Sequence, residues 1–291
     1  MSNKTTETLI EDIYALVSTK EVDESVDVEA EIEKFGEAVK DLMRTEFGRD
    51  RKEDKRTLRL SNIGRTDKYL WNHVHGTEKE EIQPNVFVKF MYGHVVEELL
   101  LFLTRMAGHE VTDEQKVCNV EGILGHMDCK IDGVVTDVKS ASSYGFKKFK
   151  EGNILNEDPF GYVDQIRAYA HSENAREFGW LAIDKTNGHL TFLKYDMDGP
   201  EYQAYEKFNG TVVERAKHVK KLIEQPEPSV VCYAPQPEGK SGNLKLAVGC
   251  SYCQFKKHCY PELRGFAYSY GPKFFSKVVK EPQVQELKLD G

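Results

Sequence analysis

Two aspartates and a lysine share the stretch Gly125–Lys139, at a spacing that lets them act on one another. Asp132-Gly133 separates two alternating apolar runs, the strongest short-range sign of a β-hairpin. With these two residues as the turn, Ile131 faces Val134, and counting outward sets Asp128 opposite Asp137 on one face. Lys139 lies two residues further along the same strand and points the same way. Facing carboxylates repel unless something sits between them. Two such oxygens suit a hard divalent cation such as Mg2+, which keeps several waters and takes substrate phosphate oxygens as further ligands. A lysine beside them can orient or help deprotonate an attacking water and offset charge on the phosphate.

Two predicted helices carry further candidates. In Met91–Glu98, His94 precedes Glu97 and Glu98 by three and four residues and shares a face with them. Either His94 or Glu97 is a further metal ligand by this spacing, with nothing to rank one above the other. On a later helix Gln165 and Tyr169, four apart, again share a face.

In this order the residues resemble the PD-(D/E)XK nuclease superfamily, most nearly its RecB-like branch, which includes phage exonucleases and CRISPR-associated RecB-like exonucleases. That branch has a helix with His or Glu, then Asp, then Asp/Glu-x-Lys, then Gln-x-x-x-Tyr. This chain offers His94 or Glu97, Asp128, Asp137-Val-Lys139 and Gln165-Ile-Arg-Ala-Tyr169, over about residues 85–215. The resemblance implies a restriction-endonuclease-like core, Mg2+ or Mn2+ as cofactor, and Gln165 and Tyr169 as residues that position the substrate phosphate or the metal site. The stretch Leu58–Trp71 also resembles the opening segment of these nucleases. Several of them carry there a cysteine that ligates an iron–sulfur cluster, whereas here no cysteine precedes Cys118.

Cys250-x-x-Cys253-x5-Cys259, with Cys232 upstream, gathers four of the six cysteines. Two thiolates two residues apart grip one metal, and the other two close a four-thiolate shell. The last three cysteines resemble the C-terminal motif of the RecB-like iron–sulfur nucleases, while four thiolates serve Zn2+ equally well. The expectation is therefore a [4Fe-4S] cluster or Zn2+ in a structural role. Cys118 and Cys129 read as strand thiols.

The elements that must hold these groups follow from periodicity and punctuation. A helix runs from Pro84-Asn85 to about Met106, stopped by Gly108. Strands are predicted near Lys116–Val120, Leu124–Ile131 and Val134–Lys139, then a loop rich in Ser, Gly and Lys. A helix over about Gly161–His171 follows, then strands near Gly179–Asp184 and His189–Tyr195 joined at Thr186-Asn187-Gly188. One long helix spans Glu201 to about Ile223. That order describes an α/β (α+β) fold with a central mixed sheet flanked by helices. Residues 1–55 read as an N-terminal helical extension, charge-dense at Arg49–Arg56. Residues 56–225 form the core, and 226–291 a loop-rich cysteine segment with a tail.

In Ser140–Lys150, Lys147, Lys148 and Lys150 interleave with Tyr144, Phe146 and Phe149, a composition suited to phosphate contacts and base stacking. Lys256, Lys257, Arg65 and Arg167 are weaker extensions of that track. The net charge of −8 excludes a protein coated in basic surface but leaves room for one local basic track. No apolar run approaches the roughly 20 residues that span a bilayer. The first residues lack the profile of a signal peptide. A cytoplasmic location follows, in a bacterial host cell if the gene is carried by a phage.

The functional expectation is a metal-dependent DNA exonuclease in replication, recombination or DNA degradation, acting on single- or double-stranded ends. A structure-selective endonuclease with the same site is one alternative. A DNA-binding recombination-accessory module with a vestigial site is the other. No Gly-x-x-x-x-Gly-Lys-Ser/Thr motif occurs, so unwinding falls to a partner such as a helicase, and a single-strand-annealing protein is a further candidate partner.

Overall fold

The computed structural model describes residues 4–48, 56–80, 84–269 and 271–289. Most of the charge-dense stretch expected at Arg49–Arg56 lies outside them. Helices α1 (Leu9–Thr19), α2 (Val28–Phe47), α3 (Asp67–Val74) and α4 (Pro84–Met106) come first. Strands β1 (Val111–Thr112), β2 (Val117–Val120), β3 (Ile123–His126), β4 (Cys129–Ile131) and β5 (Val134–Ala141) follow. Next come α5 (Ser143–Lys150), α6 (Tyr162–Ser172), β6 (Glu177–Asp184), β7 (Leu190–Asp196), α7 (Pro200–Asn209) and α8 (Val212–Leu222). The last part holds β8 (Gln236–Pro237), β9 (Leu244–Lys245), α9 (Val248–Ser251), α10 (Lys256–Cys259), β10 (Arg264–Tyr268), β11 (Gly271–Lys277) and β12 (Glu286–Leu287).

The central sheet has the order β1-β4-β5-β6-β7. It is mixed, because β5 and β6 run parallel while the other neighbours are antiparallel. Parallel neighbours need a crossover, and α5 and α6 supply it. Alternation along β5 splits the core into two layers. Val135, Phe178, Trp180 and Ala182 pack with Phe146, Phe149 and Ile166 of α5 and α6. On the opposite face Cys129, Ile131, Val138 and Leu181 pack with Leu100 and Leu101 of α4 and with Leu9, Ile13 and Leu16 of α1. Helix α1 thus spans one layer of the core with a single apolar stripe, as an amphipathic helix does. It is also tied to the hairpin turn. The buried His109 ring meets Asp12 through Nε2 at 3.1 Å and Asp132 through Nδ1 at 2.7 Å.

Four local readings differ from the structure. The strand expected over Leu124–Ile131 is divided: β3 folds back on β2 as a two-stranded ribbon, and only β4 joins the central sheet. Met127 and Asp128 make the joint, with the Met127 amide bonded to the Lys116 carbonyl at 3.1 Å. The loop expected after Lys139 is largely α5, with the Ser142 hydroxyl accepting the Gly145 amide at its start. Phe146 and Phe149, three residues apart, are its buried face rather than stacking groups. The single helix expected over Glu201–Ile223 breaks at Gly210, whose φ of +78° ends α7. Thr211 and Glu214 then form a capping box that starts α8. Finally, the tail expected to be loop-rich contains a second sheet, β12-β10-β11-β9-β8. Three of its strands are two residues long, too short for any alternation to show.

Candidate active site

The hairpin turn is built as its residues require. Asp132 and Gly133 adopt φ of +48° and +84°, the left-handed pair of a type I′ turn. Ile131 then pairs with Val134, Lys130 with Val135 and Cys129 with Thr136. The ladder ends there, one step before Asp128 and Asp137. Instead of continuing it, the Asp128 side chain accepts the Val138 amide through Oδ2 at 2.8 Å. That bond anchors Asp128 beside β5.

Asp137 is fully buried. Its Oδ2 lies 2.6 Å from Lys139 Nζ, a charge contact that lacks the alignment of a directed hydrogen bond, since this oxygen has no hydrogen-bond partner. Its Oδ1 accepts from Gln165 Nε2 at 3.1 Å. Burial pushes the Asp137 carboxyl up to about 7, with Lys139 opposing the rise and Asp128 adding to it. Burial also raises Asp128, again against the pull of Lys139. Burial alone would lower Lys139, yet Asp137 and Asp128 hold it above the ordinary lysine range. Both carboxylates thus favour the charged form of Lys139.

Helix α6 delivers Gln165 along a defined path. Asp158 accepts the amides of Phe160, Gly161 and Val163 at 3.2, 2.8 and 2.8 Å and so holds the helix entrance. Gly161, at φ +80°, crosses Gly64 so closely that a Cβ on it would lie 2.3 Å from the Gly64 carbonyl carbon. This crossing seats the segment before α3 against α6. Tyr169, one turn after Gln165, is 1% exposed and belongs to the core. Its hydroxyl is buried without a hydrogen-bond partner.

Helix α4 packs on the opposite face of the sheet, where Gly93 allows close approach to Ser140; a Cβ there would lie 3.0 Å from the serine Oγ. His94 Nδ1 is 3.6 Å from Glu97 Oε2, and that carboxylate raises the His94 pKa. Glu97 acts electrostatically on both Asp128 and Asp137, and His94 on Asp128. Among the described residues, however, no three His, Cys, Asp or Glu side chains converge closely enough to hold an ion. The expected set of Asp128, Asp137 and His94 or Glu97 is thus not drawn together. The donor chemistry still suits a hard cation: two carboxylates, an acceptor oxygen with no aligned donor, and burial that disfavours their charge.

Of the expected nucleic-acid contacts, Tyr144 is 65% exposed, and Lys148 Nζ stands 5.1 Å from its ring centroid. Lys148 is engaged by the Glu157 carbonyl at 2.9 Å and its carboxylate at 3.3 Å. Lys147 pairs with Glu151 at 3.6 Å. Lys150 is exposed and has no ion-pair partner among the described residues. Arg167 is buried against Asp164 and the Gly210 carbonyl, each at 2.7 Å. Lys256 is buried and paired with Glu80. Both leave the basic track and serve the fold instead.

The cysteines are all free thiols. Cys250 and Cys253 are buried, and Cys232 and Cys259 partly so. Burial, then the neighbouring thiols, pushes Cys250 up to about 12. Burial takes Cys253 to about 11. The Thr66 hydroxyl donates to Cys232 Sγ at 2.8 Å, which ties this segment to the start of α3. The thiols thus neighbour one another, and their softness suits Zn2+ or an iron–sulfur cluster, although the four are not drawn into one ligand shell.

Residues that sequence reasoning missed are Asp158, Gly64, Gly161 and the Asp12–His109–Asp132 link. The Asp-Pro-x-Gly string before α6 was a legible turn signal for the first. The others rest on contacts between segments far apart in the chain.

No protein-family profile matches this chain. No curated protein sequence matches it either. Among solved structures it is similar to an alkaline exonuclease, LHK-Exo, from Laribacter hongkongensis, at 14% identity and a TM-score of 0.39, covering 58% of this chain and 91% of that one. The same enzyme in complex with dAMP matches at 13% identity and a TM-score of 0.38, with the same coverage. The structure of SSO0001 matches at 14% identity and a TM-score of 0.40, covering 76% of this chain and 93% of that one.

Proposed function

We propose that this chain is a divalent-metal-dependent nuclease that hydrolyses phosphodiester bonds of DNA. The observation that carries the reading is the face of the β4–β5 hairpin: Asp128 and Asp137 brought together by the turn, Lys139 against Asp137, and Gln165 on the remaining Asp137 oxygen. Asp128 and Asp137 are the groups to hold Mg2+ or Mn2+, with Glu97 or His94 as the source of a further ligand. The cation, when bound, supplies charge stabilisation and a more acidic water. Lys139, set against Asp137, orients the attacked phosphate and offsets its charge. Gln165 keeps Asp137 in a single orientation, as groups behind metal ligands do. Attack from DNA ends, the exonuclease mode, is what the resemblance to RecB-like exonucleases implies.

Asp137→Ala and Lys139→Ala are each expected to abolish Mg2+- or Mn2+-dependent release of nucleotides from end-labelled DNA while circular dichroism stays native. An active purified variant of either kind sinks the assignment. Covalently closed single-stranded DNA separates the modes, since cleavage of the circle means an endonuclease. For Cys232, Cys250, Cys253 and Cys259 we propose a structural metal site, in which Zn2+ or [4Fe-4S] staples the last segment to the core.

A further inference from the structure

A row of aromatic rings leads from the candidate catalytic lysine to solvent. Lys139 Nζ lies 5.0 Å from the Tyr162 ring centroid. Tyr162 is 5.6 Å from Phe160, centroid to centroid. Phe160 is in turn 6.2 Å from Tyr252. Tyr162 and Phe160 are partly buried, and Tyr252 is 74% exposed. Packing alone gives no reason for a large ring to project at that point, because Tyr252 hides little of its surface. Beside the row stands Arg65, with its guanidinium 5.6 Å from the Phe160 centroid and 4.2 Å from that of Tyr69. Arg65 has no carboxylate partner among the described residues.

We propose that Tyr252, Phe160 and Arg65 form a binding track for single-stranded DNA, with Tyr252 stacking an unpaired base and Arg65 contacting a phosphate. An exposed aromatic face beside a guanidinium is what a single strand needs: rings take bases of any sequence, and a guanidinium already oriented on aromatic rings meets a phosphate in planar fashion. The track ends at Lys139, so a strand lying along it delivers a phosphodiester to Asp128 and Asp137. Because Tyr252 stands between Cys250 and Cys253, the cysteine segment would supply part of the substrate site as well as a staple. This inference rests on the nuclease reading and names the form of DNA the site takes.

Fluorescence anisotropy of a labelled oligo(dT) with the full-length protein, in buffer without added Mg2+ or Mn2+, measures binding without cleavage. Tyr252→Ala is expected to weaken binding by about 5- to 100-fold, whereas Tyr252→Phe stays near the starting protein. An oligomer carrying abasic sites in place of its bases should bind the starting protein more weakly and be indifferent to Tyr252→Ala. Arg65→Met should weaken binding and reduce its salt dependence by about one phosphate contact. The exposed position of Tyr252 leaves folding intact, which a thermal melt checks. Equal binding by Tyr252→Ala and the starting protein, or no penalty for the abasic strand, overturns the proposal. Loss of the nuclease reading would show differently, as intact base-dependent binding with no cleavage when Mg2+ or Mn2+ is restored.

Discussion

Asp137 carries more constraints than any other side chain of the candidate site. It is buried, charged against Lys139, bonded to Gln165 and faced by Asp128. An acid in that setting is held by its neighbours, and each neighbour is open to test. Gln165→Leu removes the donor to Oδ1 while keeping the volume. We expect this variant to need roughly 10- to 100-fold more Mg2+ or Mn2+ for half-maximal DNA cleavage, with little change at saturating metal. An unchanged metal requirement would show that Gln165 does not act through Asp137.

At the scale of elements, the site depends on how α6 enters against the segment before α3. The Gly64–Gly161 crossing has no room for a Cβ, and Gly161 sits at positive φ. Gly188, in the β6–β7 turn, has a φ of +78° but open space around it. The pair separates backbone strain from steric overlap. Gly188→Ala should cost about 1 kcal/mol from the left-handed conformation alone. Gly161→Ala should cost more, roughly 2–4 kcal/mol, since strain and overlap combine, and it should lower activity by shifting Gln165. Denaturant melts of both variants measure the difference, and equal losses would mean that the crossing relaxes freely. Element boundaries were legible where local chemistry set them. The Asp132-Gly133 turn is visible in the residues themselves, whereas the single helix expected over Glu201–Ile223 runs through the Thr211–Glu214 box. The α5 helix was hidden because Ser, Gly and Lys dominate its composition, while only Phe146 and Phe149 betray its buried face.

Across the whole molecule, the C-terminal segment is joined to the core at several separate points. Thr66 donates to Cys232, the Glu80 amide donates to the Gln254 carbonyl at 2.9 Å, and Lys256 pairs with Glu80. Tyr69 stacks edge-on to Phe255 at 5.4 Å. If the four cysteines hold a metal, its removal should loosen these joints together. Purified protein is expected to contain either about one zinc or about four irons per chain, the latter with brown colour, by the stoichiometry of four-thiolate sites. Stripping that metal, or Cys250→Ser, should lower the melting temperature and weaken oligonucleotide binding. Absence of both metals in protein purified without chelator and without air would overturn the site.

Among the described residues no helix is long and apolar enough to cross a membrane. The sequence by itself determined the hairpin, its register, the mixed sheet with flanking helices, and the run of groups able to do phosphate chemistry. Those features depend on turn residues, alternation and short spacings, which act within a few residues of one another. Tertiary structure alone decided that Lys139 pairs with Asp137, that Tyr169 and Arg167 are interior groups, and that His94 and Glu97 close no ligand set with the aspartates among the described residues. It also decided that Tyr252 meets Phe160. Each of these depends on burial and on contacts between distant segments, and such contacts exist only once the layers have packed.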